Sequence, residues 1–374
     1  MALADRLIAR IRSNGPITFA SFMEAALFDP EDGYYTTRAA IGFEDADYFT
    51  SGDLGPSFGR ALARMAIDAH TALGRPAAWD LVEAGAGRGI VMRDLLAALE
   101  RERPDAARGA RPAIVEVSPR LRDLQAIALG GRELRWATAA HGLAPIHGLI
   151  FGNEVLDAFP VHVLVRTEDG VREVYVAAEG SRLVETLRAA SRPDLRWRVP
   201  ETLPMGRRWE VSLAAESWVA QIAAALTRGY LLLIDYADDE AGLLARLGEG
   251  TLRGFSRHRL MGDPLQRPGE IDITATVNVT AIRRAAEGAG LRLAGARTQR
   301  EVLLALGARE AAARPSTPLE QLRAASRRSA VDTLLDPNGL GAFRVLLFAK
   351  DAPAAGFRAF GQERREVDRP RAWR

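Results

Sequence analysis

Three glycines at alternate positions, Gly85, Gly87 and Gly89, follow an acid, Glu83, that lies near the end of a short apolar run. An amphipathic segment begins at Val91, so the stretch predicts a strand, a tight turn and the start of a helix. Glycine lets the main chain adopt positive φ and lets a ligand approach it closely, and a helix N-terminus offers unpaired N–H groups. The pattern therefore predicts a ligand site, although an alanine- and glycine-rich turn without a ligand would look the same.

A second acid follows at the end of the next predicted strand. A dinucleotide-binding turn has the pattern G-x-G-x-x-G, whereas residues 85–89 have G-x-G-x-G, which disfavours a nicotinamide-dependent oxidoreductase. Residues 113–117 form a buried strand with Glu116 near its end, where nucleotide-binding folds place the carboxylate that binds ribose hydroxyls. Glu116 could instead stabilise the helix that starts after Ser118.

A pair of carboxylates, Glu154 and Asp157, follows the strand predicted over residues 148–151. Open α/β sheets bind their substrates at the carboxyl ends of their strands. A spacing of three residues puts both carboxylates on one side if the segment is helical. The alternative is that Asn153 caps this helix and that both acids only stabilise its electropositive first turn.

Three other side chains are weaker candidates for proton transfer. Asp53 lies in a polar segment before the first strand, and Asp235 lies near the end of the strand predicted over residues 230–236. His258 could accept a proton, or it could only hydrogen-bond carbonyl groups in its arginine-rich loop.

The composition excludes several kinds of site. The 374 residues contain no cysteine and five histidines, which excludes disulfides, thiolate metal sites and cysteine nucleophiles; we also expect no catalytic metal. A net charge of +2 is too small to attract nucleic acid by itself. No apolar run has the length of a membrane span, and residues 1–13 lack the core of a signal peptide. We therefore expect a cytoplasmic protein.

Alternating strands and helices predict an α/β fold with a doubly wound, Rossmann-like sheet. Residues 1–75 are predicted to form an N-terminal helical cap, in which the polar loops at 29–35 and 45–53 form a lid. Ordinary surface loops without a function are the alternative.

The main domain is predicted over residues 76–350. It contains inserted segments at about 161–228, with a hairpin and a helix over 209–226, and at about 237–277, with a basic loop. Residues 351–374 are predicted to form a charged, mobile tail.

Linked motifs over residues 15–350 resemble those of the MidA-type S-adenosylmethionine (SAM)-dependent methyltransferases, whose mitochondrial relative is a complex I assembly factor. The motifs include Gly15-Pro16-Ile17, Asp29-Pro30 with Gly33-Tyr34-Tyr35, Phe49-Thr50-Ser51, Glu83-x-Gly-x-Gly-Arg-Gly, Glu116-Val117-Ser118-Pro119, Asn153-Glu154-Val155-Leu156-Asp157-Ala158-x-Pro160, Asp235-Tyr236 and Asp272-Ile273-Thr274-Ala275. Each motif alone is weak, but together and in this order they are specific. The chain departs from the family at Gly52-Asp53 and at Asn278, on the side where an acceptor would bind.

The resemblance implies a class I methyltransferase fold, with SAM as cofactor and S-adenosylhomocysteine as product. An acid beside the glycine turn suits a ligand that carries a cationic amino group and a sulfonium. The residues expected to bind this cofactor are Thr50, Ser51, Glu83, Gly85, Ala86, Gly87, Gly89, Glu116, Val117 and Asn153.

The resemblance also implies an acceptor, because the mitochondrial relative is associated with arginine methylation of a complex I subunit. The expected partner is a protein that presents an arginine, such as a respiratory-complex subunit. A guanidinium has a pKa of about 12.5–13.8, so its site needs carboxylates that hold the cation and receive its proton. Glu154, supported by Asp157, is predicted to do this, with His258 and Asp53 as further catalytic candidates. A small-molecule acceptor and a non-catalytic assembly factor are the alternatives, and the oligomeric state, a homodimer included, is open.

Overall fold

The fold is built on one seven-stranded sheet. The structure, a computed structural model, describes residues 2–38, 50–246, 250–256, 259–261, 263–309 and 317–361. The strands of this sheet are β1 Trp79–Ala84, β2 Ala110–Val115, β3 Arg135–Ala137, β4 Ile146–Asn153, β5 Leu226–Asp235, β6 Arg292–Thr298 and β7 Arg344–Lys350. Their order is β6-β7-β5-β4-β1-β2-β3, and β7 is antiparallel to both its neighbours while the others run parallel.

Both faces of this sheet are buried. Successive side chains of a strand point to opposite faces, so each central strand contributes to two cores. On β5, Leu232 and Ile234 belong to the core on one face, and Leu231 and Leu233 belong to the core on the other. Buried strands of this kind consist of nearly continuous apolar residues. The predicted doubly wound α/β sheet is confirmed.

Helices cover both faces of the sheet. The helices of the described residues, of which α1 and α2 pack on a second layer instead, are α1 Leu3–Asn14, α2 Phe19–Phe28, α3 Pro56–Ala72, α4 Ile90–Glu102, α5 Pro104–Gly109, α6 Pro119–Ala128, α7 Leu213–Ala225, α8 Glu240–Ala245, α9 Val279–Gly288, α10 Gln299–Ala305 and α11 Pro318–Leu334. The core on one face includes side chains of α3, α4, α10 and α11, and the core on the other includes those of α7 and α9. Short helical turns occur at Tyr34–Arg38, Ser51–Leu54, Ala140–Leu143, Pro193–Arg198 and Leu340–Ala342.

A second layer combines segments that are distant in sequence. Its antiparallel sheet consists of Ile17–Thr18, His162–Thr167, Gly170–Glu179, Arg182–Ala189 and Arg208–Val211. Two smaller sheets consist of Arg253–Ser256, Arg259–Met261 and Asp272–Thr274, and of Ala237–Asp238 and Val277–Asn278. Side chains of α1 and α2, such as Leu7 and Phe22, pack with Val163, Val176 and Ile273 in one core.

The N-terminal segment therefore divides differently from the predicted cap over residues 1–75. Helices α1 and α2 pack on the inserted strands, and Thr18 is paired with Tyr175 across the second sheet. Helix α3 instead packs on the main sheet, where Phe58 and Leu62 join its core. Residues 39–49, with part of the predicted lid, lie outside the described residues.

Two inserted segments also differ from their predictions. The helix predicted over 209–226 begins only at Leu213, because Arg208–Val211 is a strand that pairs with His162–Thr167. The segment predicted as a basic loop contains the short strands Arg253–Ser256 and Asp272–Thr274, which pair with each other.

The predicted mobile tail is wrong for residues up to 361. Phe357 is buried, and its ring lies edge-on to Tyr230 with 4.8 Å between centroids. Arg358 forms an ion pair with Asp68 at 2.9 Å. This part of the tail belongs to the core, while residues 362–374 lie outside the described residues.

Candidate functional site

A cavity of about 1200 Å³ lies at the carboxyl ends of β1, β2 and β4. One part of its wall consists of residues 83–88 with Glu116 and Val117, and another part comes from α2 and from the segment that follows it. Ligand pockets usually measure about 300–1,000 Å³. This cavity is therefore large enough for a cofactor and part of a second molecule.

The glycine turn has the backbone that the sequence predicts. Gly85, Gly87 and Gly89 all have positive φ, at 67°, 51° and 77°. A Cβ on Gly85 would lie 2.8 Å from Cγ2 of Val155. Gly85, Ala86 and Gly87 line the cavity, whereas Gly89 precedes α4 and packs against Gln125. Glycine is thus required both for conformation and for space.

Two buried oxygens beside this turn have no hydrogen-bond partner among the described residues, Oε2 of Glu83 and Oδ1 of Asn153. Burial, with the nearby charge of Glu116, raises the pKa of Glu83 to about 8. A buried acceptor without a partner costs about 1–3 kcal/mol. A ligand that donates a hydrogen bond to each oxygen would remove this penalty, so the site suits a ligand that carries a cationic amino group.

Glu116 lies where a ribose-binding carboxylate is expected, and it also contacts the following helix. Its Oε1 accepts the N–H of Ser118 at 2.9 Å, and its Oε2 accepts the amide of Gln125 at 3.1 Å. Burial raises its pKa. The helix-capping alternative is thus part of the structure, and it does not exclude a ligand, because each carboxylate oxygen can accept two bonds. Val117 lines the cavity with 63% of its surface exposed, which leaves an apolar surface on which a ring can pack.

The segment that holds Thr50, Ser51 and Asp53 connects the N-terminal region to the glycine turn. Oδ2 of Asp53 accepts the N–H of Thr50 at 2.9 Å, and Oδ1 accepts the Arg88 guanidinium at 2.6 Å. Thr50 and Asp53 line the cavity. The Ser51 side chain is fully buried and contacts Gln299 instead. Because Asp53 is already paired with Arg88, it is better placed to hold this segment than to accept a proton.

Glu154 lies in the cavity wall immediately after β4. Its Oε1 accepts the N–H of Ser51 at 2.9 Å and the side-chain amide of Asn153 at 3.0 Å. No bond to Oε2 is formed by any described residue. Burial, with the nearby charge of Asp157, raises the pKa of Glu154 to about 7. Its φ of 53° is unusual for a residue other than glycine, and such strain is common at functional sites.

Asp157 does not share this position, although the sequence predicts a pair. Residues 154–160 form turns and bends with no helix, so a spacing of three does not align the two carboxylates. Asp157 is absent from the cavity wall. Burial raises its pKa to about 6, and burial together with the charge of Asp157 raises the pKa of Asp235.

Asp235 has a positioning role that the sequence did not indicate. Its Oδ2 accepts the N–H groups of Val155 and Leu156 at 3.1 and 2.8 Å. These bonds fix the turn that begins at Glu154. His258 lies outside the described residues.

Several cavity residues were missed at the sequence level. They include Glu24 and Phe28 of α2, Arg88, Phe159, His162 and Trp218. Arg88 and Phe159 lie inside motifs already identified, and His162 follows one of them after two residues. Glu24 and Trp218 carry no local signal, because only the packing of α2 and α7 brings them to the cavity.

Among the described residues, no helix combines the length and apolar character that crossing a bilayer requires. In the same part of the chain, no three side chains of His, Asp or Glu cluster as metal ligands would.

Comparison with known proteins identifies the cofactor. A family model described as "Putative S-adenosyl-L-methionine-dependent methyltransferase" matches residues 61–297. A crystal structure from Burkholderia thailandensis of a "likely methyl transferase" bound to S-adenosyl-homocysteine has a TM-score of 0.86 and 32% identity, over 96% of this chain and 94% of that one. The expected methyltransferase fold and SAM as cofactor are confirmed.

Curated relatives also match most of the chain. The mitochondrial protein arginine methyltransferase NDUFAF7 of Xenopus tropicalis is 30% identical over 82% of this chain and 75% of its own length. The human protein of the same name is 29% identical over 75% and 68%. Both relatives are named as mitochondrial, so the cytoplasmic location expected from the sequence is wrong. The chain therefore belongs to the family of S-adenosyl-L-methionine-dependent methyltransferases whose model matches residues 61–297.

Proposed function

We propose that the protein transfers a methyl group from SAM to an arginine side chain of a partner protein. The observation that carries the proposal is the state of Glu154. Two donors hold its Oε1, while Oε2 has no bond from any described residue, and the side chain lines the cavity. A guanidinium offers five N–H donors in a planar fork that matches a carboxylate.

The residues present fit SAM on both sides of the glycine turn. Glu83 and Asn153 offer unpartnered acceptors to its cationic amino group, and Glu116 offers a carboxylate to its ribose. When bound, SAM supplies a methyl group that its sulfonium makes electrophilic. The protein then has to align an acceptor nitrogen and exclude water, and such positioning can contribute on the order of 7–11 kcal/mol.

Glu154 has the electrostatic property that an arginine site requires. In the free protein its pKa is raised to about 7 by burial, so this carboxyl group is more readily protonated than an exposed one. A guanidinium beside Oε2 favours the ionised form, because a cation within about 4–6 Å lowers the pKa of a carboxyl group. The ion pair then localises the charge of the guanidinium on the nitrogens that face Glu154.

The names of the curated relatives support the same acceptor, since they are called protein arginine methyltransferases. The cavity supports it as well, because about 1200 Å³ leaves room for a side chain beside the cofactor. A subunit of a respiratory complex, which the family resemblance implies, is the acceptor to examine first.

The test compares the proteins of cells with and without the gene. A protein extract from the deletion strain, treated with purified enzyme and SAM, should gain methylarginine at a site that is methylated in wild-type cells. Digestion and mass spectrometry identify this site. Methylation of another residue type, or of a small molecule only, would contradict the proposal. The Glu154→Gln enzyme is the control.

A further inference from the structure

His162 is a cavity residue with a buried acidic partner. It begins the strand His162–Thr167 and is one of the residues that line the cavity. Its Nδ1 lies 2.7 Å from Oε1 of Glu173, whose side chain is completely buried on the neighbouring strand. The other oxygen of Glu173 accepts the N–H of Ser191. The carboxylate is thus held between the imidazole and a backbone donor.

The protonation of this pair follows from the carboxylate. Burial alone would raise the pKa of Glu173, but the hydrogen bonds from His162 and Ser191 outweigh burial and hold the pKa below its ordinary value. Glu173 is therefore ionised and can only accept, so the proton of a neutral imidazole lies on Nδ1. The lone pair then lies on Nε2, to which no described residue forms a hydrogen bond.

We propose that His162, oriented by Glu173, is the base that removes a proton from the acceptor guanidinium. This inference rests on the proposed function. In this proposal, Glu154 binds the guanidinium cation and His162 accepts its proton. The two residues line the same cavity, and the wall segment that contains Ala158, Phe159 and Pro160 connects them.

The step balances in atoms and charge. As the guanidinium nitrogen forms its bond to the methyl carbon, the carbon–sulfur bond breaks and the sulfonium becomes a neutral thioether. One N–H proton passes to Nε2 of His162, and the product remains a cationic methylguanidinium. Glu173 stabilises the imidazolium, which then loses its proton to solvent. A carboxylate oriented behind a histidine serves this purpose in other enzymes.

His162 is also better suited than Glu154 to accept the proton of the guanidinium. A carboxylate paired with a guanidinium is a weak base, because the cation lowers its pKa. Histidine is the side chain that acts most often as a general base in enzymes. Glu173 is the charged group in contact with His162. On the neighbouring elements, Arg188 lies at the register position opposite Glu173, Glu210 lies on the other strand paired with His162–Thr167, and Glu24 of α2 lines the same cavity.

The test uses the full-length enzyme, SAM and protein extract from a strain that lacks the gene. His162→Asn retains a donor for Glu173 but has no base, so turnover should fall by about 10²–10⁴ while SAM affinity is unchanged. In His162→Ala, added imidazole should restore turnover in a concentration-dependent manner. Substituted imidazoles should restore it in the order of their pKa values.

A structural role for the pair predicts different results. The melting temperature would then fall in His162→Asn, but turnover per folded molecule would stay near the wild-type value, and imidazole would have no effect. His70→Asn is the matched control, because His70 is a buried histidine outside the cavity wall. If His162→Ala does not fold, His162→Asn decides the question alone. Methylarginine formed by His162→Asn at the wild-type rate would overturn this inference only, whereas no methylarginine from the wild-type enzyme would overturn the proposed function.

Discussion

The backbone N–H of Ser51 donates a 2.9 Å hydrogen bond to Oε1 of Glu154, although 103 residues separate them in the chain. This bond joins the segment before α3 to the turn after β4. It also fixes one oxygen of Glu154 and leaves the other for a ligand. The site is therefore complete only when the N-terminal segment is in place, which makes this segment part of the catalytic domain in function.

The proposed role of Glu154 predicts a separation of binding and turnover. Glu154→Gln keeps the shape and one acceptor oxygen but removes the charge that binds the guanidinium, so turnover should fall by about 10- to 150-fold, as expected for a lost charge-assisted bond of about 1.5–3 kcal/mol, while SAM affinity stays unchanged. The free protein should not be less stable, because burial already raises the pKa of this carboxyl group. Turnover and calorimetric titration with SAM measure the two effects.

Glu210→Gln provides the matched control for this variant. Glu210 is also a glutamate whose pKa is raised by burial, but it contacts Thr251 and lies outside the cavity wall. Its variant should change the melting temperature and not turnover. If Glu154→Gln methylates at close to the wild-type rate, Glu154 does not bind the acceptor guanidinium, and a small-molecule acceptor becomes the first alternative.

The N-terminal segment should respond to the cofactor product. Residues 50–54 contact both Glu154 and Arg88, and Arg120 of α6 donates to the carbonyl of Thr37. Closure of such a segment over a site excludes water. Hydrogen exchange should slow in residues 29–38 and 50–58 when S-adenosylhomocysteine is added, while α1 should not change. If S-adenosylhomocysteine does not slow exchange in residues 29–38 and 50–58 more than in α1, the lid is contradicted.

The glycine turn should tolerate no side chain when SAM is bound. In Gly87→Val, a β-branched residue would have to adopt a φ near 51°, and its side chain would occupy the space above the turn. SAM binding should be lost while the fold is retained. Gly130→Val is the matched control, because Gly130 has a φ of 61° with open space around it and lies outside the cavity wall. Calorimetric titration of both variants distinguishes loss of the site from backbone strain.

Local patterns predicted the parts of the fold that depend on neighbours in sequence. Helix α1 buries Leu3, Leu7, Ile8 and Ile11, as its spacing indicates, and Thr18 caps α2 by accepting the N–H of Ser21. The glycine turn and the strands around it were found in the same way. In each case the residues that determine the structure lie within one or two turns of each other.

Long-range pairing accounts for most of what the sequence did not predict. Nothing near Thr18 indicates that it pairs with Tyr175 in the second sheet. The strand Arg208–Val211 is only four residues long, too short for its alternation to stand out beside the helix that follows. The sequence places Glu154 and Asp157 on one side only if their segment is helical. In the structure, Asp235 accepts the N–H groups of the turn that begins at Glu154 and holds it in a different geometry.

The end of the described chain should contribute to stability. Phe357 is buried and packs edge-on to Tyr230, so Phe357→Ala should lower the free energy of unfolding by about 3–5 kcal/mol. Leu322→Ala is the control, because Leu322 is 65% exposed and its loss should change stability by less than about 0.5 kcal/mol. Denaturant titration measures both, and equal stability of the two variants would show that this segment is dispensable.

The buried carboxyl group of Glu83 should make stability depend on pH in a way that SAM reverses. Its pKa in the folded protein is about 8, against an ordinary value of 4.5. Between these values the unfolded chain binds fewer protons than the folded one, so the free energy of unfolding falls as the pH rises through this range. The total loss is on the order of a few kcal/mol.

Glu83→Gln cannot ionise and should lack this loss. Its melting temperature should equal that of the wild type below pH 4 and exceed it most above pH 8. With SAM present the advantage should shrink or change sign, because the cationic amino group stabilises the ionised carboxylate of the wild type and finds only an amide in the variant. SAM binding to the wild type near pH 7 should also release a proton, which titration in buffers of different ionisation enthalpy detects. If the two proteins show the same pH dependence with and without SAM, Glu83 does not bind the cofactor.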